Sequence, residues 1–201
     1  MKILNVYGSS IDGSSAAVAN RFLEKARRLG AEIQSFKLGG ADITGCKKCM
    51  SCKTTTDRCV IEDDITTIFD SIVPCDVLVL STGVYEGDVS GNMSLFESRL
   101  FSFLKPDFET NPEPSRLPSG KKLVFIQAQG GASYWHVDIY QRFESLFTKL
   151  GFGDTFVIHA DTVDQPSDLI GRDDIMKLTE EIAEKCQEVS CPTTTPRIDT
   201  P

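Results

Sequence analysis

Residues 3–30 read ILNVYGSSIDGSSAAVANRFLEKARRLG, and this stretch decides the fold. It opens with a nearly continuous apolar run, which predicts a buried strand at Lys2–Tyr7. A loop rich in glycine and serine follows at 8–15. From Ser14 to Leu29 an amphipathic helix is predicted, because apolar residues recur there every three to four positions, beginning with Val18. A strand, a loop and a helix in this order predict the first half of a βαβ unit.

The same alternation of short apolar runs and amphipathic segments continues along the chain. Further strands are predicted at Glu32–Lys37, Asp76–Ser81, Lys122–Ala128 and Thr155–His159. Further helices are predicted from Asp63 to Val73, from Met93 to about Leu104, from Tyr140 to Leu150 and from Ile175 to Cys186. Five strands alternating with five helices predict an α/β domain, spanning 1–187, with an open, doubly wound sheet. We expect the tail 188–201 to be disordered.

Composition narrows the class of protein. The 201 residues are 40% hydrophobic and carry a formal net charge of -8, which suits one globular domain. An acidic surface argues against binding to nucleic acid or anionic membranes, so we expect small-molecule or protein partners. No apolar run is long enough to cross a membrane, and the first residues resemble a strand more than a signal peptide. We therefore expect a cytoplasmic protein.

The glycine-serine loop lies where an open α/β sheet binds its ligands, beyond the carboxyl end of a strand. The hydroxyls of Ser9, Ser10, Ser14 and Ser15 and several backbone N–H groups can meet an anion at the start of the helix. The loop matches neither the P-loop nor the dinucleotide fingerprint. Since it contains no Lys or Arg, it favours a single terminal phosphate. The alternative is a serine-rich turn that only caps the helix.

Two more loops follow the third and fourth predicted strands. They are Ser81–Gly87 and Ala128–Trp135, and both contain glycines that let a flat ring approach the backbone. Tyr85 and Trp135 are placed to stack on such a ring, although packing within the protein explains each aromatic equally well. The proline-rich segment 105–120 is either a surface excursion or a lid or subunit contact.

Four of the seven cysteines are clustered as Cys46-x2-Cys49-x2-Cys52-x6-Cys59. Short gaps let neighbouring thiolates bind one metal centre, and this spacing resembles that of ferredoxin-type 4Fe–4S clusters. Zinc bound by four thiolates, or thiols without metal, remain alternatives. Cys75 and Cys186 are predicted to be buried, unreactive thiols.

The chain resembles the flavodoxin-fold NAD(P)H-dependent FMN reductases and, among them, the iron–sulfur flavoproteins. The cysteine motif followed by Val60-Ile61-Glu62-Asp63-Asp64-Ile65 is the specific match, and the glycine-serine loop supports it. The resemblance implies a flavodoxin-like sheet in the strand order 2-1-3-4-5, with helices on both faces. It also implies FMN-dependent oxidoreductase activity in a dimer or tetramer.

The resemblance assigns the cofactors to residues of this chain. The FMN phosphate would lie on Ser9, Ser10, Ser14, Ser15 and Ala16. The flavin ring would lie against Thr82, Gly83, Val84, Tyr85, Glu86, Gly87, Gln129, Gly130 and Gly131. A 4Fe–4S cluster would be bound by Cys46, Cys49, Cys52 and Cys59. NAD(P)H is a candidate co-substrate, and no side chain is assigned as catalytic.

The sequence also departs from the family pattern. Ala16 replaces a threonine and Gly83 a proline, while Glu86 replaces an aromatic residue and would lower the flavin potential. Ser98 replaces an aspartate, so we expect Arg99 to lack its acidic partner.

Three functions fit these observations. The first is an iron–sulfur flavoprotein that passes electrons from NAD(P)H or a ferredoxin-like donor, through FMN and the cluster, to a small acceptor. The second is an FMN or quinone reductase of the same fold without a cluster. The third is a non-catalytic electron carrier or a zinc-stabilised binding module. A protein partner would dock near the basic residues Lys47, Lys48 and Lys53.

Overall fold

The computed structural model describes residues 1–188, so nearly all of the predicted tail lies outside the described residues. Its strands are Lys2–Tyr7 (β1), Glu32–Lys37 (β2), Val77–Tyr85 (β3), Asp88–Val89 (β4), Lys121–Ala128 (β5) and Phe152–Ala160 (β6). Its α-helices are Ser14–Arg28 (α1), Ser51–Thr54 (α2), Asp64–Ile72 (α3), Gly91–Arg99 (α4), Val137–Lys149 (α5) and Asp173–Gln187 (α6). Two 3₁₀ segments, Leu100–Phe103 and Pro166–Leu169, follow α4 and β6.

Five parallel strands form the sheet in the order β2-β1-β3-β5-β6, and the short β4 pairs antiparallel with β3. The parallel order is the predicted 2-1-3-4-5, because β5 and β6 are the fourth and fifth parallel strands. The fold is therefore the flavodoxin-like, doubly wound α/β sheet that the sequence predicts. Strand order reverses between β1 and β3, which places the ligand-binding crevice of this fold at their carboxyl ends.

Helices cover both faces of the sheet. One core contains the apolar sides of α3, α4 and α5, and the other contains those of α1 and α6. All eight residues of β5 are buried, which explains why its central run from Leu123 to Ile126 is apolar without alternation. Among residues 1–188, no helix is long and apolar enough to cross a membrane.

Strand β3 extends four residues beyond its predicted end at Ser81. Glu86 and Gly87 then reverse the chain with φ values of +49° and +84°, and β4 returns along β3. A two-residue turn with two positive φ values is the type I′ turn of β-hairpins. The segment predicted as a loop at Thr82–Gly87 is therefore a hairpin, which adds a sixth strand to the expected five.

The helix predicted from Met93 to Leu104 ends earlier, at Arg99, and tightens into the first 3₁₀ segment. The proline-rich segment 105–120 follows, and its returning end lies beside the residues from which it starts. The Lys105 N–H donates to the Pro114 carbonyl at 2.8 Å, and the Arg116 N–H donates to the Phe103 carbonyl at 2.8 Å. The excursion therefore has a hydrogen-bonded base beside the end of α4.

Candidate functional site

A cleft of about 620 Å³ opens at the carboxyl ends of β1, β2 and β3. It is bounded by the glycine-serine loop, by Tyr85 of the hairpin and by the start of α4 at Ser90. Lys37, the last residue of β2, also lines it and brings a cation to the cleft. The sequence of the loop does not predict this cation, because Lys37 lies on another element. The available signal was its position at the end of an edge strand.

The start of α1 has unused hydrogen-bonding capacity. Gly13 precedes the helix without any side-chain cap, and the Ser14 hydroxyl is buried without a hydrogen-bond partner in the described residues. Ser10 shapes the loop, since its carbonyl accepts the Gly13 N–H at 3.1 Å. The first N–H groups of a helix have no partner within the helix and carry partial positive charge. Together with the orphaned hydroxyl, they form a cradle for an anion.

Two other predicted phosphate residues, Ser15 and Ala16, lie in the first turn of α1 and are buried. Ser9 has a different role, because its hydroxyl accepts the Gly83 N–H at 2.7 Å. Thr82 is fully buried, and its hydroxyl accepts the Ser90 N–H at 3.1 Å. Ser9 and Thr82 therefore join the glycine-serine loop, β3 and the start of α4 into one framework around the cleft.

The hairpin presents an aromatic surface beside the cleft. A Cβ atom on Gly83 would lie 3.1 Å from the Tyr85 ring, so the absence of a side chain lets this ring lie close to the strand. Tyr85 is about half exposed. Val84 is partly buried against the core, whereas Glu86 and Gly87 are exposed at the turn. Because Glu86 is exposed, solvent weakens its effect on a group bound in the cleft.

The third predicted segment is held by internal contacts. The Gln129 side-chain amide donates to the Ala132 carbonyl at 2.7 Å and accepts from Gln127 at 2.8 Å. A Cβ atom on Gly130 would lie 1.9 Å from a carboxylate oxygen of Asp164, and one on Gly131 would lie 2.4 Å from the Trp135 ring. Gln129 therefore fixes the loop rather than presenting its amide to the cleft.

Asp164 and His136 also border this region, although the sequence search did not single them out as site residues. Asp164 covers Gly130, and a Cβ atom on Gly87 would lie 3.4 Å from the His136 ring. Neither belongs to a motif, so only the tertiary contacts reveal them.

The four clustered cysteines line one cavity of about 40 Å³. Cys46 and Cys49 are exposed, Cys59 is half-buried and Cys52 is buried. Among residues 1–188, no three His, Cys, Asp or Glu side chains form a group that could hold a metal ion. The motif therefore brings its thiols to one place, but not to the tight tetrahedron that one zinc ion needs.

Arg99 connects this cysteine segment to α4. Its side chain is 1% exposed, and its Nη1 lies 2.8 Å from the Asp63 carboxylate. Its Nε donates to the Cys59 sulfur at 3.1 Å, and its remaining bonds go to the Thr44 and Ile61 carbonyls. The expectation that Arg99 lacks an acidic partner is wrong, because Asp63 supplies the charge from another element.

Ser98, which replaces the family aspartate, has its own contact with the segment. Its hydroxyl accepts the Cys46 N–H at 3.0 Å. Two hydrogen bonds from Ser51, one from its backbone and one from its hydroxyl, lower the pKa of the Cys49 thiol. The hydrogen bonds from Ser51 therefore favour the thiolate form of Cys49.

Lys53 does not belong to an open basic patch. Its Nζ donates to the Phe101 and Leu104 carbonyls at 2.6 Å, and burial lowers its pKa. Of the three lysines predicted to form a docking spot, only Lys47 and Lys48 are exposed.

The two remaining cysteines of the described chain lie in the cores. Burial raises the pKa of Cys75 to about 11 and that of Cys186 to about 12. Both stay protonated near neutral pH, which agrees with their prediction as unreactive thiols.

Known proteins of similar sequence and fold give the context for this site. An iron-sulfur flavoprotein of Methanocaldococcus jannaschii is 28% identical over 105 residues, covering 52% of this chain and 52% of that protein. One from Methanosarcina thermophila is 26% identical over 109 residues, covering 54% and 56%. The chain thus matches about half the length of these curated relatives.

Solved structures share the fold across nearly the whole chain. An FMN-dependent NADH-azoreductase from Bacillus anthracis, in complex with FMN, has a TM-score of 0.69 at 17% identity, covering 93% of this chain and 99% of that one. An NAD(P)H:quinone oxidoreductase from Methanothermobacter marburgensis also has a TM-score of 0.69, at 12% identity, with 94% and 98% covered. The model of the NADPH-dependent FMN reductase family matches residues 1–152. That match spans well over half of the sequence, and the chain therefore belongs to the NADPH-dependent FMN reductase family.

Proposed function

We propose that this protein is a cytoplasmic, FMN-dependent oxidoreductase that also binds a 4Fe–4S cluster. In this proposal, electrons from NAD(P)H or a ferredoxin-like donor reach a small acceptor through the two cofactors. Bound FMN would supply hydride and single-electron chemistry, while the protein supplies binding and orientation. Family membership and the names of the curated relatives support the proposal.

The observation that carries the FMN assignment is the orphaned Ser14 hydroxyl at the uncapped start of α1. We assign the phosphate to this cradle, with Ser10, Ser15 and the Ala16 N–H around it. A buried hydroxyl without a partner costs free energy, and a phosphate oxygen would satisfy it. Lys37 adds a positive charge to the cleft, which Ser10 of the glycine-serine loop also lines.

We assign the flavin ring to the space between the hairpin and the loop 129–135. Tyr85 and Trp135 are both about half exposed there. A flat ring would cover this apolar surface, and the backbone of Gly130 and Gly131 lies behind Asp164 and Trp135 at its border. Exposed aromatic residues at the same edge also favour a homo-oligomer, dimer or tetramer, in which a second copy covers them.

The cluster assignment rests on the cavity that the four cysteines share. Iron–sulfur clusters are stabilised by hydrogen bonds to sulfur, and Arg99 and the Lys48 N–H already donate to Cys59 and Cys46. A single zinc ion needs all four sulfurs about 2.3 Å from one point, which is a tighter arrangement than the one described.

The alternative is a cluster-free FMN reductase, favoured by the absence of a ready single-metal site among residues 1–188. Anaerobic purification followed by iron, sulfide and flavin analysis separates the two. We expect about four irons and four sulfides for each chain. The variant Cys49→Ala should lose the broad visible absorbance that dithionite bleaches and keep FMN. Cys75→Ala, which removes a buried thiol outside the cavity, should keep both.

Iron and sulfide contents near zero in the anaerobically purified protein would exclude the cluster and support the cluster-free reductase. A protein that takes up no added FMN would overturn both enzyme assignments and favour a binding module. If NAD(P)H fails to reduce bound FMN while dithionite succeeds, the donor is a reduced protein.

A further inference from the structure

A third cavity, of about 260 Å³, lies away from the carboxyl-edge cleft and shares none of its lining residues. It is enclosed by α3, the 3₁₀ segment after α4, residues 57–59 of the cysteine segment and the returning end of the proline-rich segment. Four stretches that are distant in sequence thus meet around one space. The proposed FMN site does not use this space.

The proline-rich segment builds one wall of the cavity. The returning end of the segment, at 114–116, is hydrogen-bonded to residues 103–105. This pairing places Arg116 and Leu117 beside α3. The Ser115 hydroxyl fixes the return by donating to the Leu150 carbonyl at 2.7 Å. The long segment that the sequence left without a role therefore closes a pocket.

The other walls are aromatic and aliphatic. Phe69 and Phe103 contact each other with ring centroids 4.8 Å apart, and Val73 and Leu117 complete the apolar lining. Pockets that bind drug-sized ligands usually measure about 300–1,000 Å³. This cavity is slightly smaller, so its size suits a molecule with one or two rings.

Arg116 gives the pocket a specific polar group. Its guanidinium donates three hydrogen bonds, all to carbonyls, those of Ser102, Leu104 and Cys52. A guanidinium has five donors, so two have no partner among the described residues. No carboxylate of the described chain forms an ion pair with it, although its side chain is half-buried.

The remaining charged groups around the pocket are compensated or exposed. Arg99 is neutralised by Asp63. Asp57, Arg58 and Asp70 are exposed to solvent, which screens their charges. The half-buried positive charge of Arg116 therefore remains without a counter-ion, and a planar carboxylate matches its fork geometry.

We propose that this pocket binds a small aromatic carboxylate, with its ring against Phe69 and Phe103 and its carboxylate on Arg116. The site is separate from the flavin edge, since the two cavities share no lining residue. Cys59, Arg99 and Ser102 line both this pocket and the four-cysteine cavity. A ligand bound in this pocket would contact Cys59, whose sulfur accepts a hydrogen bond from Arg99. The ligand would therefore lie next to the cysteine centre.

Isothermal titration of the FMN-loaded protein with 1-naphthoate tests the proposal, and neutral 1-naphthamide tests the role of charge. We expect one site for each chain. Val73→Trp, at an exposed wall position, should fill the pocket and weaken 1-naphthoate binding by at least about tenfold. Leu29→Trp introduces the same ring at an exposed position directly after α1 and should leave binding unchanged.

Arg116→Gln should weaken 1-naphthoate binding by about 10- to 100-fold and leave 1-naphthamide binding nearly unchanged. Lys105→Gln, which removes a nearby cation outside the lining, should alter neither. Should Arg116→Gln fail to fold, Val73→Trp still decides the location. Undetectable binding of 1-naphthoate to the unaltered protein would overturn the proposal. Unchanged binding to Val73→Trp would overturn it as well, because the ligand would then lie elsewhere.

Discussion

Replacing Asp63 with asparagine tests the buried ion pair that closes the cysteine segment. The Arg99 and Asp63 side chains are 1% and 4% exposed and lie 2.8 Å apart. Asparagine keeps an oxygen that can accept the Ile65 N–H at the start of α3, but it removes the negative charge. Arg99 would then be a buried cation without a counter-charge.

The size of the effect follows from that uncompensated charge. Removing one partner of a buried ion pair typically costs about 3–5 kcal/mol of stability. The Thr44 and Ile61 carbonyls would still accept hydrogen bonds from the guanidinium. We therefore expect a loss near the lower end of that range, about 3 kcal/mol, which is a large share of the stability of an ordinary domain.

Urea unfolding of the FMN-saturated protein, followed by far-UV circular dichroism, measures this loss. Asp64→Asn is the matched control, because Asp64 is the next residue and is exposed, and its carboxylate accepts the Asp42 N–H at 2.8 Å. The control should cost less than about 1 kcal/mol. A loss for Asp63→Asn no larger than that of the control would refute the reasoning.

A double variant separates charge from packing. Asp63→Leu combined with Arg99→Met removes both charges, and replacing a whole buried ion pair by apolar residues is often neutral or stabilising. We expect the double variant to be more stable than the sum of its single variants predicts. Strict additivity would mean that the loss comes from the helix cap and not from the ion pair.

Three further predictions concern other parts of the molecule. Ser14→Ala should weaken FMN binding by about 10- to 100-fold in a fluorescence titration, because a hydrogen bond to a charged phosphate is lost. The stability of the flavin-free protein should not fall, since that hydroxyl has no partner there. Gly130→Ala should cost about 1–3 kcal/mol in urea unfolding, because its Cβ would meet Asp164, and adding Asp164→Ala should restore part of the loss. Because burial raises the pKa of Cys75 from 9.0 to about 11, its thiol stabilises the fold fully only below pH 9. Unfolding free energy should then fall as pH rises from 9 towards 11, by at most about 1.4 kcal/mol per pH unit for this thiol, and Cys75→Ala should flatten that dependence.

The parallel sheet was predictable because a strand that is buried on both faces has an uninterrupted apolar sequence. Val77 to Leu80 and Leu123 to Ile126 are apolar without interruption, and each run is a buried central strand. The hairpin after β3 has no such pattern. Its turn places Glu86 and Gly87 at positive φ, and Glu stands where hairpin turns usually have Asn, Asp or Gly, so only Gly87 fitted the pattern.

The location of the candidate site was predictable from topology, but the hydrogen-bond partners of its polar groups were not. Ser9 and Gln129 lie at the predicted sheet edge, yet their hydrogen bonds go to other parts of the chain. Arg99 shows the same limit, because its acidic partner lies 36 residues away rather than in its own helix. Sequence patterns reveal local neighbours, whereas these partnerships come from tertiary packing.

The cysteine segment is closed by the fold itself. Its two ends meet where the Thr44 N–H donates to Asp63 and the Asp64 N–H donates to the Asp42 carbonyl, and Arg99 contacts both ends. Most of the entropy cost of closing this loop is therefore offset by contacts that need no metal. In small zinc domains the metal drives folding, since no site exists before it binds. Here contacts within the fold bring the four thiols to one cavity, so the proposed cluster would bind a segment that is already closed and would not have to drive folding of the chain.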